Sequence, residues 1–70
     1  MSLNDEEILQ ARYELIELRL EHRDLDNAIE HMMQNPYVDQ LRLRRMKKRK
    51  LKLKDSIRRL ESMIIPDMDA

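Results

Sequence analysis

The residues best suited to proton chemistry are His22 and Lys50, which interrupt two otherwise apolar helical patterns. Histidine is the side chain most often used for proton transfer near neutral pH, so His22 could donate or accept a proton or act as a ligand. The alternative is a polar layer that fixes the register of two helices, with Glu21, Asp26 or Arg49 as hydrogen-bond partners. We favour this structural role because no nucleophile accompanies His22 and two helices form no enclosed pocket. We call His22, Lys50 and Asp26 the polar layer.

The composition argues against metal and cofactor sites. The chain has no cysteine and only two histidines, His22 and His31, so we expect no zinc cluster. Glycine is also absent, which excludes the glycine-rich loops that bind phosphate groups. We therefore predict that the protein is not an enzyme and binds neither a metal nor a cofactor.

A second chemically distinctive segment is the run from Arg42 to Lys54, in which nine of thirteen residues are Lys or Arg. Residues 1–34 are acidic, with nine acids and three Lys or Arg, although the net charge of the whole chain is zero. Within and after the run, six basic residues fall on positions that point away from the apolar pattern. These residues, which we call the basic face, are Arg44, Arg45, Lys48, Lys52, Arg58 and Arg59.

Such a face could bind an acidic protein, a nucleic-acid backbone or an acidic membrane surface. It could also be a solvated surface that an acidic helix of the same chain or of a second copy neutralises. The run contains no aromatic residue that could stack on bases, so we favour an acidic protein partner over nucleic acid. Any nucleic-acid binding would be independent of base sequence.

Two ladders of residues, spaced alternately by three and four positions, predict amphipathic helices. The first ladder is Ile8, Ala11, Leu15, Leu18, His22, Leu25, Ile29 and Met32, and the second is Leu43, Met46, Lys50, Leu53, Ile57, Leu60 and Ile64. Asn4 and Glu7 form a capping box, and Asp39 can cap the second helix. Asn35-Pro36 must end the first helix, because proline cannot continue a helical ladder.

The ladders predict an all-α fold in which two helices form an antiparallel, coiled-coil-like hairpin. We expect one unit over residues 1–70, with helix 1 at about 5–34, a turn at about 35–38, helix 2 at about 39–65 and a short tail at 66–70. If the chain turns at Pro36, facing residue numbers sum to about 72, which places His22 opposite Lys50. This register also predicts several charged neighbours, namely Asp26 with Lys47, Glu21 with Arg49, Arg12 with Glu61 and the like-charged Arg19 with Lys54.

Helix 1 carries a further apolar pattern, displaced from its ladder, which we call the second stripe. Its members are Leu9, Tyr13, Ile16 and Leu20, and Leu51 and Ile65 on helix 2 could extend it. A lone hairpin cannot cover both apolar patterns of helix 1, and a chain this short gains stability by self-association. We therefore predict a homo-oligomer, a four-helix bundle or larger, although an amphipathic helix of another protein remains an alternative.

Two motifs in the chain resemble those of the YdcH-like family of small bacterial helical-hairpin proteins. They are His22-x-x-Leu25-Asp26-x-x-Ile29 and Met46-Lys47-Lys48-x-Lys50-Leu51-Lys52-Leu53-Lys54-Asp55-x-Ile57. The resemblance implies a two-helix hairpin in the bacterial cytoplasm, with His22, Asp26, Lys50 and Asp55 at characteristic positions.

The longest apolar run is only Met63 to Ile65, so we predict no transmembrane segment, and the acidic N-terminal region does not resemble a secretory signal.

Overall fold

The computed structural model describes residues 3–64, which form two α-helices, α1 (Asp5–Met33) and α2 (Gln40–Ile64), and no strand. A helix of 29 residues is about 44 Å long at a rise of 1.5 Å per residue. The longest dimension of the chain is 49 Å, so the helices lie side by side. Contacts of Arg19 with Glu61 and of Asp26 with Lys50 show that they run in opposite directions. The predicted all-α antiparallel hairpin is confirmed.

Side chains at the helix starts satisfy free backbone N–H groups. The Glu7 N–H donates to Asn4 Oδ1 over 2.7 Å, and the Asn4 N–H donates to Glu7 Oε1 over 3.1 Å, which confirms the predicted capping box. Asp39 Oδ1 accepts hydrogen bonds from the N–H groups of Leu41 and Arg42 at the start of α2. In both caps, a side-chain oxygen accepts hydrogen bonds from backbone N–H groups that have no partner within the helix.

The turn between the helices depends on Asn35 and Pro36. The helix α1 ends at Met33, two residues before the position that proline forces out of the α region. The Tyr37 N–H then donates to Asn35 Oδ1 over 2.9 Å, and the Val38 N–H donates to the Asn35 carbonyl over 3.2 Å. These bonds hold the chain reversal without any residue of positive φ in the described segment.

The core follows the two predicted ladders. Six ladder residues are buried, namely Ala11, Leu15, Ile29, Leu43, Leu53 and Ile57, and every other ladder member is half-buried. No polar or charged residue of the described segment is fully buried. The hairpin therefore has one thin apolar seam, and the rest of each helix faces outward. The expected end of helix 2 near residue 65, the Pro66 stop and the 66–70 tail lie outside the described residues, as does Ile65.

Candidate functional site

The polar layer contains a short contact between the helices. Lys50 Nζ donates a hydrogen bond to Asp26 Oδ1 over 2.6 Å, and both residues are half-buried. This hydrogen bond and the positive charge of Lys50 lower the pKa of Asp26 below its ordinary value, against a smaller opposing effect of desolvation. The lysine stem runs along the apolar seam and its ammonium group reaches the edge, where water can still approach.

His22 lies one helical turn before Asp26 on α1 and is also half-buried. Its charge adds a minor lowering effect on the pKa of Asp26. The predicted register placed His22 opposite Lys50. The hydrogen bond of Lys50 goes instead to Asp26, which is one of the partners expected for the layer. A register role for the whole layer stays a prediction.

The charged neighbours across the seam differ in part from the predicted pairs. Arg49 and Glu21 form the expected ion pair at 2.8 Å. One predicted pairing is wrong, because Glu61 bonds at 2.6 Å to Arg19 and not to Arg12. Asp26 lines the same groove as Lys47, its predicted neighbour, but its ion pair is with Lys50. Arg19 thus meets an acid, where the register had predicted the like-charged Lys54.

The lean of helical side chains explains the Arg19–Glu61 and Asp26–Lys50 contacts. Side chains in an α-helix point back toward its N-terminus. In an antiparallel pair, Arg19 on α1 and Glu61 on α2 therefore lean toward each other, whereas Arg12 leans away from Glu61. Lys50 likewise leans toward the turn and reaches Asp26. A register that counts backbone positions alone does not include this displacement of about one turn.

A shallow surface groove of about 390 Å³ lies beside the polar layer, on the turn side of Asp26 and Lys50. Ile29, Met33 and Leu51 supply its apolar surface, and Met33 and Leu51 are largely exposed. We did not predict this groove. Met33 follows Ile29 by four residues, so the sequence did indicate a widened apolar face at the end of α1.

The second stripe is exposed along its whole length. Leu9 and Tyr13 are each 70% exposed, Ile16 is 57% exposed and Leu20 is 42% exposed. At about 100° per residue, the stripe points roughly 170° away from the first ladder. The four side chains therefore lie on the side of α1 that faces away from α2, where nothing in the described chain covers them.

All six residues of the basic face are exposed. None of them forms an ion pair with another residue in the described part of the chain. The mean direction of the face is also about 170° from the second ladder, so the face points away from α1. The acidic helix α1 therefore does not neutralise it through direct contact. Aromatic side chains lie elsewhere, with Tyr13 in the second stripe and Tyr37 in the turn.

Residues 15–61 match a family described as "Protein of unknown function (DUF465)". This segment covers more than half of the chain. The chain belongs to the DUF465 family. The predicted resemblance to the YdcH-like proteins is confirmed, because those proteins are members of DUF465. No curated protein and no solved structure matches the chain.

The DUF465 segment coincides with the central part of the hairpin. It contains the polar layer, the groove and the whole basic face, but only Ile16 and Leu20 of the second stripe. Within residues 3–64, no group of three His, Asp or Glu side chains is placed to hold a metal ion. Over the same described residues, neither helix is both long enough and apolar enough to cross a membrane.

Proposed function

We propose that this protein is a non-enzymatic interaction module of the bacterial cytoplasm. It self-associates through the second stripe of α1 and offers the basic face of α2 to an acidic protein partner. The observation that carries the proposal is the exposure of four large apolar side chains in one continuous stripe, Leu9, Tyr13, Ile16 and Leu20. Contiguous exposed apolar patches are uncommon on monomeric proteins once they exceed about a few hundred Å², and large ones mark interaction sites.

Self-association is the simplest way to cover the second stripe. Burying apolar surface is worth about 25 cal/mol per Å², and a hairpin with a single thin seam has little other surface to bury. Every copy carries the same stripe, so two copies can cover each other through a symmetric contact. The result is a four-helix assembly in which the two α1 helices are central.

The two surfaces do not compete in such an assembly. The second stripe lies on the side of α1 that faces away from α2, and the basic face lies on the side of α2 that faces away from α1. Copies that join through α1 therefore keep both basic faces on the outside. Clustered unpaired Lys and Arg residues attract acidic partners, and this attraction weakens as salt concentration rises.

Sedimentation equilibrium over a concentration series tests self-association. We expect the wild-type chain to show a concentration-dependent mass above that of a monomer, and Ile16→Glu to return it to a monomer. Leu41→Glu is the matched control, because Leu41 is a 64% exposed apolar residue outside the stripe. A monomeric wild-type chain, or equal effects of the two variants, would overturn the proposal.

Binding to a polyglutamate peptide tests the basic face. We expect binding at low salt that the triple variant R44E/K48E/K52E abolishes. The matched control R42E/K47E/K54E changes the same number of charges on the same helix but outside the basic face. If both triple variants lose binding equally, net charge and not the basic face is responsible, and this part of the proposal fails.

A sequence-independent nucleic-acid protein is the alternative function for the same face, since phosphate backbones also attract Lys and Arg. The face lacks an aromatic platform for bases, which favours the acidic protein. Titration with duplex DNA and with RNA at low ionic strength separates the two functions. Negligible binding removes the alternative, whereas tight binding with no affinity for polyglutamate replaces our proposal with it.

A further inference from the structure

We infer that the second stripe binds a second copy of this chain in parallel orientation, with both α1 helices pointing the same way. This inference rests on the proposed self-association and adds the orientation of the partner. The charges of the residues that flank the stripe support the parallel orientation. In paired helices, the positions beside the apolar contact decide which orientation is favourable.

The two flanks of the second stripe carry opposite charges. Glu17 and Asp24 lie on one flank, seven residues apart, and Gln10 continues this row by the same spacing. Arg12 and Arg19 lie on the other flank, also seven residues apart. All five side chains are exposed. The stripe therefore has an acidic edge and a basic edge over its central length.

A parallel pair places the basic edge of one copy along the acidic edge of the other. Arg12 then lies beside Glu17 of the second copy, and the two-fold symmetry repeats this contact on the opposite side. Neither Arg12 nor Glu17 forms an ion pair with another residue between positions 3 and 64, so both are available. Arg19 and Asp24 form a second such contact, although Arg19 already bonds to Glu61 and Asp24 lies 3.7 Å from Arg23.

An antiparallel pair matches like edges instead. With Leu9 packed on Leu20 of the second copy, Arg12 would approach Arg19 of that copy, and Glu17 would face the uncharged Gln10. This orientation gains an attraction only at the ends of the stripe, where Glu6 would meet Arg23 of the second copy. The two Arg12–Arg19 repulsions offset these two end attractions. A parallel pair places like charges at the same ends, Glu6 beside Glu6 and Arg23 beside Arg23, but it gains four contacts of opposite charge along its edges and is therefore the favoured orientation.

The parallel orientation also fixes how the assembly presents its outer surfaces. Both turns lie at one end, and the two basic faces lie on opposite outer sides. An acidic partner can then bind each copy separately, or a long acidic chain can engage both copies. Linked binding of this kind strengthens attachment without any new type of contact.

Disulfide trapping tests the orientation directly, because the native chain has no cysteine. Two cysteines can form a disulfide only if their Cα atoms approach within about 7 Å. We expect Leu9→Cys alone and Leu20→Cys alone each to form crosslinked homodimers under mild oxidation. In an antiparallel pair the two Leu9 positions would lie about 16 Å apart, and only a mixture of the two variants would crosslink.

The outcomes separate the inference from the proposed function. Crosslinks that form only between L9C and L20C, in a chain that sedimentation shows to be dimeric, would overturn the parallel orientation alone. A chain that stays monomeric would overturn both. Circular dichroism of each variant checks that the helices are retained, and both leucines are exposed enough for the hairpin to accept the substitutions.

Charge reversal gives a second, independent test. In a parallel dimer, Arg12→Glu and Glu17→Arg each bring like charges together, and we expect each to raise the dimer dissociation constant roughly tenfold at low salt. The double variant R12E/E17R restores the opposite charges and should return the constant to that of the wild type. An antiparallel dimer predicts instead that R12E does not weaken association, because Glu at position 12 would face Arg19.

Discussion

Lys50 Nζ lies 2.6 Å from Asp26 Oδ1, so the single lysine in the apolar seam bonds to an acid at the edge of the opposite helix. The contact is half-buried, and the side chain of Lys50 is only 34% exposed. The lysine ammonium is therefore held at one place along α1, while its stem packs among apolar neighbours. This contact joins, across the hairpin, two of the positions that the family resemblance of the sequence implied to be characteristic.

The Asp26–Lys50 contact should make stability depend on acid pH. Lys50 lowers the pKa of Asp26, so the ionised carboxylate stabilises the folded chain at neutral pH. This contribution is present above the pKa that Asp26 has in the unfolded chain and is lost as pH falls through the lowered pKa of the folded chain. We therefore expect Asp26→Asn to lower the free energy of unfolding at pH 7, by a difference that shrinks as the pH falls below the ordinary Asp value of 3.8.

Urea unfolding followed by circular dichroism across pH 2–7 measures this difference. Asp24→Asn is the matched control, because Asp24 is exposed and its ion pair among residues 3–64 is with the adjacent Arg23, at 3.7 Å, and not with α2. A difference between wild type and D26N that stays constant down to the acid limit would contradict an ionic origin of the stabilisation.

Replacing His22 should preserve the hairpin. His22 is half-buried in the first ladder and is not the hydrogen-bond partner of Lys50, so His22→Leu leaves the Asp26–Lys50 contact intact. We expect the free energy of unfolding to stay unchanged or to rise by about 1 kcal/mol, because leucine continues the apolar seam. Thermal unfolding measures this change, with His31→Leu, at an exposed position, as control. A large loss of stability would show that the imidazole makes a contact that the fold requires.

The fold was predictable because its determinants are local. The spacing of residues such as Leu15 and Ile57 predicts which face of each helix is buried. Asn4 and Asp39 mark the helix starts through hydrogen bonds within three residues, and Pro36 marks the end of α1 because the residue before a proline leaves the α region. No long-range information is needed for these features. A hairpin with one seam also leaves few alternative ways to pair the two ladders.

The details of the surface were less predictable, because they depend on the direction of side chains in three dimensions. The backbone register correctly paired Glu21 with Arg49 but assigned the wrong partner to Glu61, and it placed Asp26 beside Lys47 when the ion pair of Asp26 is with Lys50. Helical side chains lean by about one turn, which is enough to exchange one charged neighbour for another. The groove beside Met33 was not predicted either, because it combines side chains of both helices, Ile29 and Met33 from α1 with Leu51 from α2.

The capping box at the start of α1 should contribute measurably to stability. Asn4→Ala removes the acceptor of the 2.7 Å hydrogen bond from the Glu7 N–H and leaves that group without its partner. We expect a loss of about 1 kcal/mol in the free energy of unfolding. Urea unfolding measures the loss, and Gln10→Ala, at an exposed position inside the same helix, is the control. Equal stability of N4A and the wild type would mean that water replaces the cap at no cost.

Two leucines on α2 provide a matched comparison between the seam and the outer surface. Leu53 is 6% exposed and belongs to the second ladder, whereas Leu51 is 65% exposed and lines the groove. Leu53→Ala removes packed methyl groups and leaves a cavity, so we expect a loss of about 2 to 5 kcal/mol. A loss of that size approaches the total stability of a domain of this size, so the helical signal in circular dichroism should fall sharply at 37 °C.

Leu51→Ala should cost less than about 1 kcal/mol, because the leucine side chain already contacts water over most of its surface. Both substitutions change the same side chain on the same helix, so differences in helix propensity cancel. The comparison requires a concentration low enough for the wild type to be monomeric, since Leu51 could also contact a second copy. If L51A were as destabilising as L53A in the monomer, the groove would be part of the folding core, and a ligand or partner could bind there only by displacing packed side chains.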